Sequence, residues 1–201
     1  SLAQDACART QKRWAVVGYP FDRLVPSYAT AIGSSADRPG ALAELVGIIL
    51  NDGMKKPSVR FDSLQFASGT PYQTLLTHDG GAQEVQVLDP AITRTVKAVM
   101  SEVVDAGTAR RVKGVYKDAS GAVLPVGGKT GTGDHRFDEF GAGGQRISSR
   151  IVNRTGTFAF YIGDKFFGTI TAHVAGEEAG DYKFTSALSA QMLKSLAPIL
   201  Q

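Results

Sequence analysis

The chain has 201 residues, and its 22 Lys and Arg against 19 Asp and Glu give a formal net charge of +3 at pH 7. With a hydrophobic fraction of 43% and a charged fraction of 20%, the composition is typical of a globular protein and excludes a generally disordered chain. The length suits one domain or the larger part of one, and the lack of a Lys- and Arg-rich run with interleaved aromatic residues argues against nucleic acid as a partner.

Cys7 is the one cysteine of the sequence, so the chain can form neither an internal disulfide nor a thiolate zinc site. No stretch approaches the ~18 apolar residues that a membrane-spanning helix needs, so we expect no membrane contact by this segment. The sequence shows no signal peptide and starts at Ser1, without Met, inside a helix-like stretch. This start predicts a piece of a longer protein.

The first half of the chain is predicted to contain two helices and then short strands. Residues 2–17 favour a helix, Pro20 and Pro26 indicate a loop, and residues 29–35 form a turn of small residues. After Pro39, apolar residues recur at helical spacing until Gly53 ends the helix. The strand-like segments lie around residues 59–66, 72–76 and 84–88, with a turn at 78–81.

The second half begins with the clearest helix signal of the sequence. Asp89 provides a side-chain acceptor at the N-cap, Pro90 fits the first turn, and Gly107 ends the helix. One apolar stripe follows this helix, consisting of Ile92, Val96, Val99, Met100, Val103 and Val104. Residues 121–126 are predicted as a strand that enters a glycine-rich segment, and the polar, glycine-rich residues 134–151 as a mobile loop.

The last part of the chain is predicted as a hairpin and a helix. Residues 157–162 and 166–174 are strands joined at 163–165, and both are apolar at nearly every position. Strands of this kind are buried on both faces, so helices should cover the sheet. The final helix carries Leu188, Met192, Leu196, Ile199 and Leu200 on one side. The order of elements predicts an α+β fold with an antiparallel sheet covered by helices.

Gly128-Lys129-Thr130 first suggests a phosphate-binding loop. Such a loop needs a glycine five residues before the Gly-Lys-Thr glycine and runs directly into a helix, because its backbone must curl round the phosphates. Val123 stands at that position, and glycine and polar residues follow Thr132. The pattern therefore disfavours a nucleotide-binding enzyme. Such an enzyme would be stabilised by ATP against thermal unfolding, and we expect no such stabilisation of this chain.

Lys129-Thr130-Gly131 also matches the Lys-Thr-Gly element of serine acyl-transfer enzymes that react with β-lactams. Lysine raises the positive potential for a substrate carboxylate, and a hydroxyl beside it can bind that carboxylate. Glycine lets the strand approach the substrate closely, and the backbone N–H of the next residue can serve an oxyanion. A turn with a solvated lysine is the plain alternative, but Gly127-Gly128 before the tripeptide and the apolar strands after it favour the acyl-transfer element.

With these motifs, nearly the whole chain resembles the transpeptidase domain of class A penicillin-binding proteins, from beyond its second motif to its end. The first matching segment runs from Ala29 to Gly53, with Ile32-Gly33-Ser34-Ser35 leading into an apolar helix that ends at Asn51-Asp52-Gly53. The second is the helix from Asp89 to Gly107 with its Asp105-Ala106-Gly107-Thr108-Ala109 ending, and the others are Gly127 to Thr132 and Phe158 to Gly163 with the final helix. The resemblance implies a β-lactamase- and transpeptidase-like fold that is incomplete at the N-terminal side, with residues 1–201 as the C-terminal portion of the domain.

Two motifs of that family are missing from this sequence. No serine is followed by lysine three residues later, so the Ser-x-x-Lys nucleophile is not in this chain, and Ser-x-Asn is absent as well. In the family both motifs precede the region seen here. We therefore expect them upstream of Ser1, in the N-terminal part of the same protein, and expect this chain alone to be inactive.

The resemblance implies a peptidoglycan D,D-transpeptidase that cross-links stem peptides through a serine acyl-enzyme. Lys129 would supply positive potential, Thr130 and Thr132 would bind the substrate carboxylate, Gly131 would allow close approach, and the Thr132 backbone N–H would serve the oxyanion hole. The implied partners are the D-Ala-D-Ala stem peptide and β-lactams, with no metal and no cofactor. The implied location is periplasmic or extracytoplasmic, with the parent protein anchored to the inner membrane.

Two alternatives stay open. A truncated relative without catalytic activity would bind peptidoglycan peptide or a protein partner. A Ser-His-Asp triad could combine Asp134 and His135 with Ser148 or Ser149, although neighbours on a loop rarely hold triad geometry. His78 in a turn and His173 at a strand end are interpreted as structural.

Overall fold

The computed structural model describes residues 2–18, 38–77 and 83–200. Within these ranges the chain forms four α-helices: α1 (Leu2–Val16), α2 (Pro39–Leu50), α3 (Pro90–Asp105) and α4 (Ser186–Leu200). The strands are β1 (Met54–Lys55), β2 (Ser63–Phe66), β3 (Thr74–Thr77), β4 (Val85–Gln86), β5 (Val126–Phe140), β6 (Arg146–Ile162) and β7 (Phe166–Ala175). No helix of the described ranges is long and apolar enough to cross a membrane.

The main sheet consists of three antiparallel strands in the order β5-β6-β7. Each strand is joined to the next by a hairpin, and the turn at Gly163 has a positive φ of 63°, as the predicted tight hairpin requires. The short strands form two separate antiparallel pairs, β1 with β4 and β2 with β3. Strand β5, which carries Lys129, therefore lies at an edge of the main sheet.

Helices cover both faces of the central strand β6, as the sequence predicted. Alternate residues of a strand point to opposite faces. On one face Phe158, Phe160 and Ile162 belong to a core cluster that includes Leu193 of α4. On the other face Tyr161 packs with residues of α2 and α3 in a second cluster. The two clusters make β6 the buried centre of a helix–sheet–helix arrangement.

Strand β7 departs from the prediction that it is buried on both faces. Phe166 and Phe167 are 62% and 47% exposed, because β7 is the second edge of the sheet and only part of it is covered by α2. The edge strand β7 and the central strand β6 have similar apolar residues, so the sequence pattern could not distinguish them.

The predicted start of α3 is confirmed at Asp89. Its carboxylate accepts a hydrogen bond from the backbone N–H of Ala91 at 2.7 Å, and Pro90 occupies the first turn. The predicted apolar stripe is buried only in part. Met100 and Val104 are 6% and 2% exposed, whereas Val99 is 62% exposed.

Helix α4 shows the same division between buried and exposed apolar residues. It buries mainly small residues and Leu193 against the sheet. The side of α4 that the sequence singled out as apolar is exposed by 38–78% and consists of Leu188, Met192, Leu196, Ile199 and Leu200. We call these five residues the α4 stripe.

The prediction of a mobile loop at residues 134–151 is wrong, because most of this stretch is β-strand. Residues up to Phe140 continue β5, residues from Arg146 belong to β6, and the two pair in register over almost the whole stretch. Polar contacts between the strands replace an apolar core: Arg154 donates to the Asp134 carboxylate at 3.1 Å, and Ser148 donates to the Glu139 carboxylate at 2.6 Å. A strand stabilised in this way has no apolar alternation, so the composition resembled that of a loop.

Two shorter predictions also need correction. Residues 59–61 lie outside any strand, and β2 begins only at Ser63. Residues 121–125 are not a strand, since Val123 forms only an isolated bridge with Lys117 before β5 begins at Val126. The predicted loop at Pro20 and Pro26, the turns at 29–35 and 78–81, and His78 lie outside the described residues.

Candidate functional site

Lys129 lies on the edge strand β5, opposite Ala159 of β6. Its side chain is exposed, and Nζ donates a hydrogen bond to the carbonyl oxygen of Thr130 at 2.6 Å. The predicted placement of Lys-Thr-Gly on a sheet strand is confirmed, and a P-loop is excluded because no helix follows this segment. The ammonium group is therefore a cation at the solvent-facing edge of the sheet.

The Thr130 side chain is buried and occupies the face opposite to Lys129. Its hydroxyl shares a hydrogen bond of 2.5 Å with the hydroxyl of Thr108, which follows α3. This bond ties the segment after α3 to the edge strand. The pairing of Thr108 with Thr130 was not predicted from the sequence, because 22 residues separate them.

The Thr132 side chain binds the start of α4. Its hydroxyl accepts a hydrogen bond from the backbone N–H of Ser186 at 2.9 Å and donates to the Ser186 hydroxyl at 3.2 Å. The first N–H groups of a helix lack partners within the helix, so Thr132 satisfies one of them. Binding of a substrate carboxylate by the two threonine hydroxyls stays a prediction; in this structure both have partners within the chain.

The glycines around Lys129 differ in the space available to them. A Cβ at Gly128 would meet the carbonyl oxygen of Ala159 and lie 2.5 Å from the ring of Phe158, so any side chain here would overpack the interior. A Cβ at Gly131 would have no atom within 4 Å. Packing among the described residues therefore explains Gly128 and leaves open space above Gly131.

A buried tyrosine behind this strand was not recognised from the sequence. The Tyr161 hydroxyl is 2.7 Å from the Ser101 hydroxyl and donates to the Lys97 carbonyl oxygen at 3.2 Å. A Cβ at Gly127 would collide with its ring at 2.5 Å. Tyr161 is 1% exposed, so it joins α3 to the sheet and has no access to a substrate. Gly127 and Gly128, directly before Lys129, could have indicated from the sequence that another side chain packs closely against this strand.

The alternative Ser-His-Asp triad is not assembled. The Asp134 carboxylate binds Arg154, and His135 Nδ1 lies 2.6 Å from the Asn153 side-chain amide. Ser148 donates to Glu139, and Ser149 accepts from Arg136. A triad requires the histidine to contact both the serine and the carboxylate, and these residues have other partners.

A hydrogen-bonded turn precedes β5. The Asp118 carboxylate accepts from the hydroxyl and backbone N–H of Ser120 and from the backbone N–H of Ala122, at 2.6, 2.8 and 3.0 Å. These bonds, that of the Ser120 hydroxyl first, lower the pKa of the Asp118 carboxyl below its ordinary value. Beside it, burial raises the pKa of Tyr116, whose hydroxyl donates to the Leu193 carbonyl oxygen at 2.6 Å.

A cavity of about 420 Å³ lies at the C-terminal end of α2, away from Lys129. Its lining includes Ile48, Met54, Lys55, Lys165 and Phe167, and none of the residues from 126 to 133. Within the described ranges, no group of three or more His, Cys, Asp or Glu side chains could hold a metal ion. The candidate site is therefore the β5 edge around Lys129, apart from this cavity.

No protein-family model matches the sequence, and no curated protein sequence is significantly similar to it. Among solved structures, the chain is similar to a peptidoglycan glycosyltransferase from Burkholderia ambifaria, with 19% identity and a TM-score of 0.50 over 95% of this chain and 56% of that chain. It is also similar to penicillin-binding protein 3 from Mycobacterium tuberculosis complexed with aztreonam, with 16% identity and a TM-score of 0.47 over 90% of this chain and 40% of that chain.

A third similar structure is the D,D-transpeptidase domain of a peptidoglycan glycosyltransferase from Eggerthella lenta, with 19% identity and a TM-score of 0.44 over 85% of this chain and 36% of that chain. The chain thus spans between about a third and just over half of these structures. At such identities the similarity to the Burkholderia ambifaria protein shows the fold, and it confirms the predicted α+β architecture with an antiparallel sheet covered by helices.

Proposed function

We propose that residues 1–201 are the C-terminal portion of a penicillin-binding D,D-transpeptidase domain, which cross-links peptidoglycan stem peptides through a serine acyl-enzyme. The serine, in a Ser-x-x-Lys motif outside this chain, attacks the carbonyl carbon between the two terminal D-Ala residues and expels the last D-Ala as an amine. The amine of a neighbouring stem peptide then attacks the acyl-enzyme and releases the serine. This chain supplies the wall of the site that contains Lys129.

The observation that carries the proposal is the position of Lys129-Thr130-Gly131 on an accessible edge strand within this fold. Lys129 brings positive charge to the edge, where it attracts the terminal carboxylate of the stem peptide or of a β-lactam. The open space above Gly131 leaves room for a substrate to approach the backbone. The backbone N–H of Thr132 would then face the developing oxyanion.

Exposed apolar residues support a site completed by another segment. The α4 stripe and the outer residues of α3 are large, apolar and accessible. Rows of large apolar residues that stay exposed along two helices are uncommon on a complete soluble domain. Among the described residues nothing covers these rows, so we expect the segment that carries the serine motifs to cover part of them. In this proposal that segment precedes Ser1 in the same protein. The whole protein lies outside the cytoplasm and is anchored to the inner membrane.

The test is the intact mass of both polypeptides after incubation with a penicillin. The chain is measured alone and mixed with the separately purified segment that carries Ser-x-x-Lys and Ser-x-Asn. A β-lactam opens on the serine and stays attached, so each adduct adds the mass of one penicillin. Size-exclusion chromatography first establishes that the two polypeptides associate.

An adduct on the upstream segment that forms only in the mixture supports the proposal. An adduct on this chain alone would reveal a nucleophile within it and contradict an incomplete site. Association without any adduct would favour the alternative, a non-catalytic module that binds peptidoglycan peptide or a protein partner.

A further inference from the structure

The cavity of about 420 Å³ at the C-terminal end of α2 is lined by three separate segments. They are the last turns of α2 with Asn51, the residues from 54 to 59, and the turn between β6 and β7 with the start of β7. Small-molecule sites in proteins commonly have volumes of roughly 300–1,000 Å³, with mostly apolar walls and a few polar groups. The cavity therefore has the size of a ligand site.

The apolar part of the lining includes Ile48, Met54 and Phe167. Ile48 is 3% exposed and belongs to the interior. The ring of Phe167 packs against α2 at a position without a side chain, since a Cβ at Gly47 would lie 2.6 Å from it. Phe167 is still 47% exposed, so it offers apolar surface to a ligand in the cavity.

The backbone groups at the end of α2 have partners within the chain. The backbone N–H groups of Asn51 and Gly53 donate to the carbonyl oxygens of Gly47 and Ile48, at 3.0 and 2.8 Å. The side-chain amide of Asn51 donates to the Met54 carbonyl oxygen at 3.1 Å. The charged side chains around the cavity therefore decide which ligand charge is favoured.

Three lysines and two acids provide these charges: Lys55, Lys56, Lys165, Glu44 and Asp164. Two of them have partners outside this set. Lys56 forms an ion pair with Glu84 at 3.2 Å, and Glu44 accepts a hydrogen bond from the Ser58 hydroxyl at 3.1 Å. The remaining charges are two lysines and one acid.

Lys55 and Lys165 form no ion pair with a described residue. Lys55 is half-buried, and a Cβ at Gly18 would lie 2.5 Å from its Nζ, so this ammonium group lies beside the end of α1. A partly desolvated cation without an acid partner favours an anion. Lys165 is exposed, follows Asp164 in the turn and brings a second positive charge to the rim.

We propose that this cavity binds a small carboxylate with an apolar body. The apolar body lies against Ile48, Met54 and Phe167, and the carboxylate lies near Lys55 and Lys165. Burial of the apolar body supplies most of the affinity, and charge-assisted hydrogen bonds from lysine select the anion.

The test is a backbone NMR titration of this chain with 3-phenylpropionate, 3-phenyl-1-propanol and 3-phenylpropylamine, which share one apolar body and differ in charge. We expect 3-phenylpropionate to shift the amide signals of Gly47, Met54 and Phe167 in a saturable way, with a dissociation constant on the order of a few millimolar for a ligand of this size. The alcohol should bind more weakly and the amine most weakly, because the lining favours an anion.

Charge variants should change the affinity in opposite directions. Lys55→Gln/Lys165→Gln should weaken the binding of 3-phenylpropionate roughly threefold to tenfold and leave that of the alcohol unchanged. Asp164→Asn removes a negative charge from the rim and should strengthen the binding of 3-phenylpropionate by up to about twofold. The control Lys194→Gln, on the exposed side of α4, should change neither.

Shifts confined to residues away from the cavity, or equal binding of the three compounds, would overturn the inference. Unchanged binding of 3-phenylpropionate by the double variant would overturn it as well. The amide signals far from the cavity show whether the double variant is folded, so unfolding is not mistaken for loss of the site. The inference does not rest on the proposed function, because none of the residues from 126 to 133 lines the cavity.

Discussion

Gly128 and Gly131 lie three residues apart on the same strand and have different surroundings. A Cβ placed on Gly128 would collide with the Ala159 carbonyl oxygen and the Phe158 ring, whereas a Cβ on Gly131 would have no atom within 4 Å among the described residues. We predict that Gly128→Ala lowers the free energy of unfolding by about 1–3 kcal/mol, because a Cβ there overpacks the interior. Gly131→Ala should change it by less than about 0.5 kcal/mol. Urea denaturation of both variants measures the difference, and an equal loss in both would contradict the packing described here.

A substitution at Thr130 tests the hydrogen bond between the Thr130 hydroxyl on β5 and the Thr108 hydroxyl after α3. Thr130→Val keeps the shape but leaves the Thr108 hydroxyl without its partner, so we predict a loss of about 1–2 kcal/mol in the free energy of unfolding. Thr95→Val is the matched control, since Thr95 is exposed and bonds only to its own helix. Equal stability of the two variants would mean that the Thr108–Thr130 bond contributes nothing.

Among the elements, the long hairpin of β5 and β6 depends on polar contacts between its strands. The Asp134–Arg154 pair is only partly exposed, at 27% and 16% of the two side chains. Asp134→Asn should weaken the outer hairpin by roughly 1 kcal/mol and speed amide hydrogen exchange at residues 134–150 without changing α3. Asp164→Asn, in the turn between β6 and β7, is the control. Fast amide hydrogen exchange at residues 134–150 in the unsubstituted protein would contradict the hairpin and favour the predicted mobile loop.

The turn before β5 has a defined pH dependence. The folded-state pKa of Asp118 is lowered, so its bonds stabilise the turn fully above the ordinary value of 3.8 and are lost as the pH falls through the folded pKa. We predict that the amide signals of Ser120 and Ala122 move together as the pH falls, with a midpoint below 3.8. A midpoint at or above 3.8 would contradict the lowered pKa of Asp118.

The sequence predicted the elements whose signals are local. Asp89 and Pro90 mark the start of α3, and the turn at Gly163 marks the last hairpin, so both were placed correctly. The outer hairpin was missed because its apolar residues are few and do not alternate regularly, and its strands hold together partly through polar contacts such as the Asp134–Arg154 ion pair. Pairing of this kind depends on register, which hydrophobic periodicity does not contain.

For the whole molecule, the sequence predicted the position of Lys129 but not the surroundings that shape the site. The contacts of Thr130 with Thr108 and of Thr132 with Ser186 join residues 22 and 54 positions apart. The sequence predicted that one side of α4 is apolar. It did not predict that no described residue covers this α4 stripe, because burial depends on the whole fold.

The measurement that tests the central claim most directly is the rate of penicillin acylation of the assembled site with Lys129→Gln. This chain, carrying the substitution, is combined with the segment that holds the serine motifs, and the rate is compared with that of Lys117→Gln, an exposed lysine before β5. We predict a loss of roughly a hundredfold for Lys129→Gln, the scale of removing one electrostatic contact to a reacting centre. Lys117→Gln should react like the unchanged protein. Equal rates for both variants would contradict the claim that the Lys129 strand forms a wall of the acyl-transfer site.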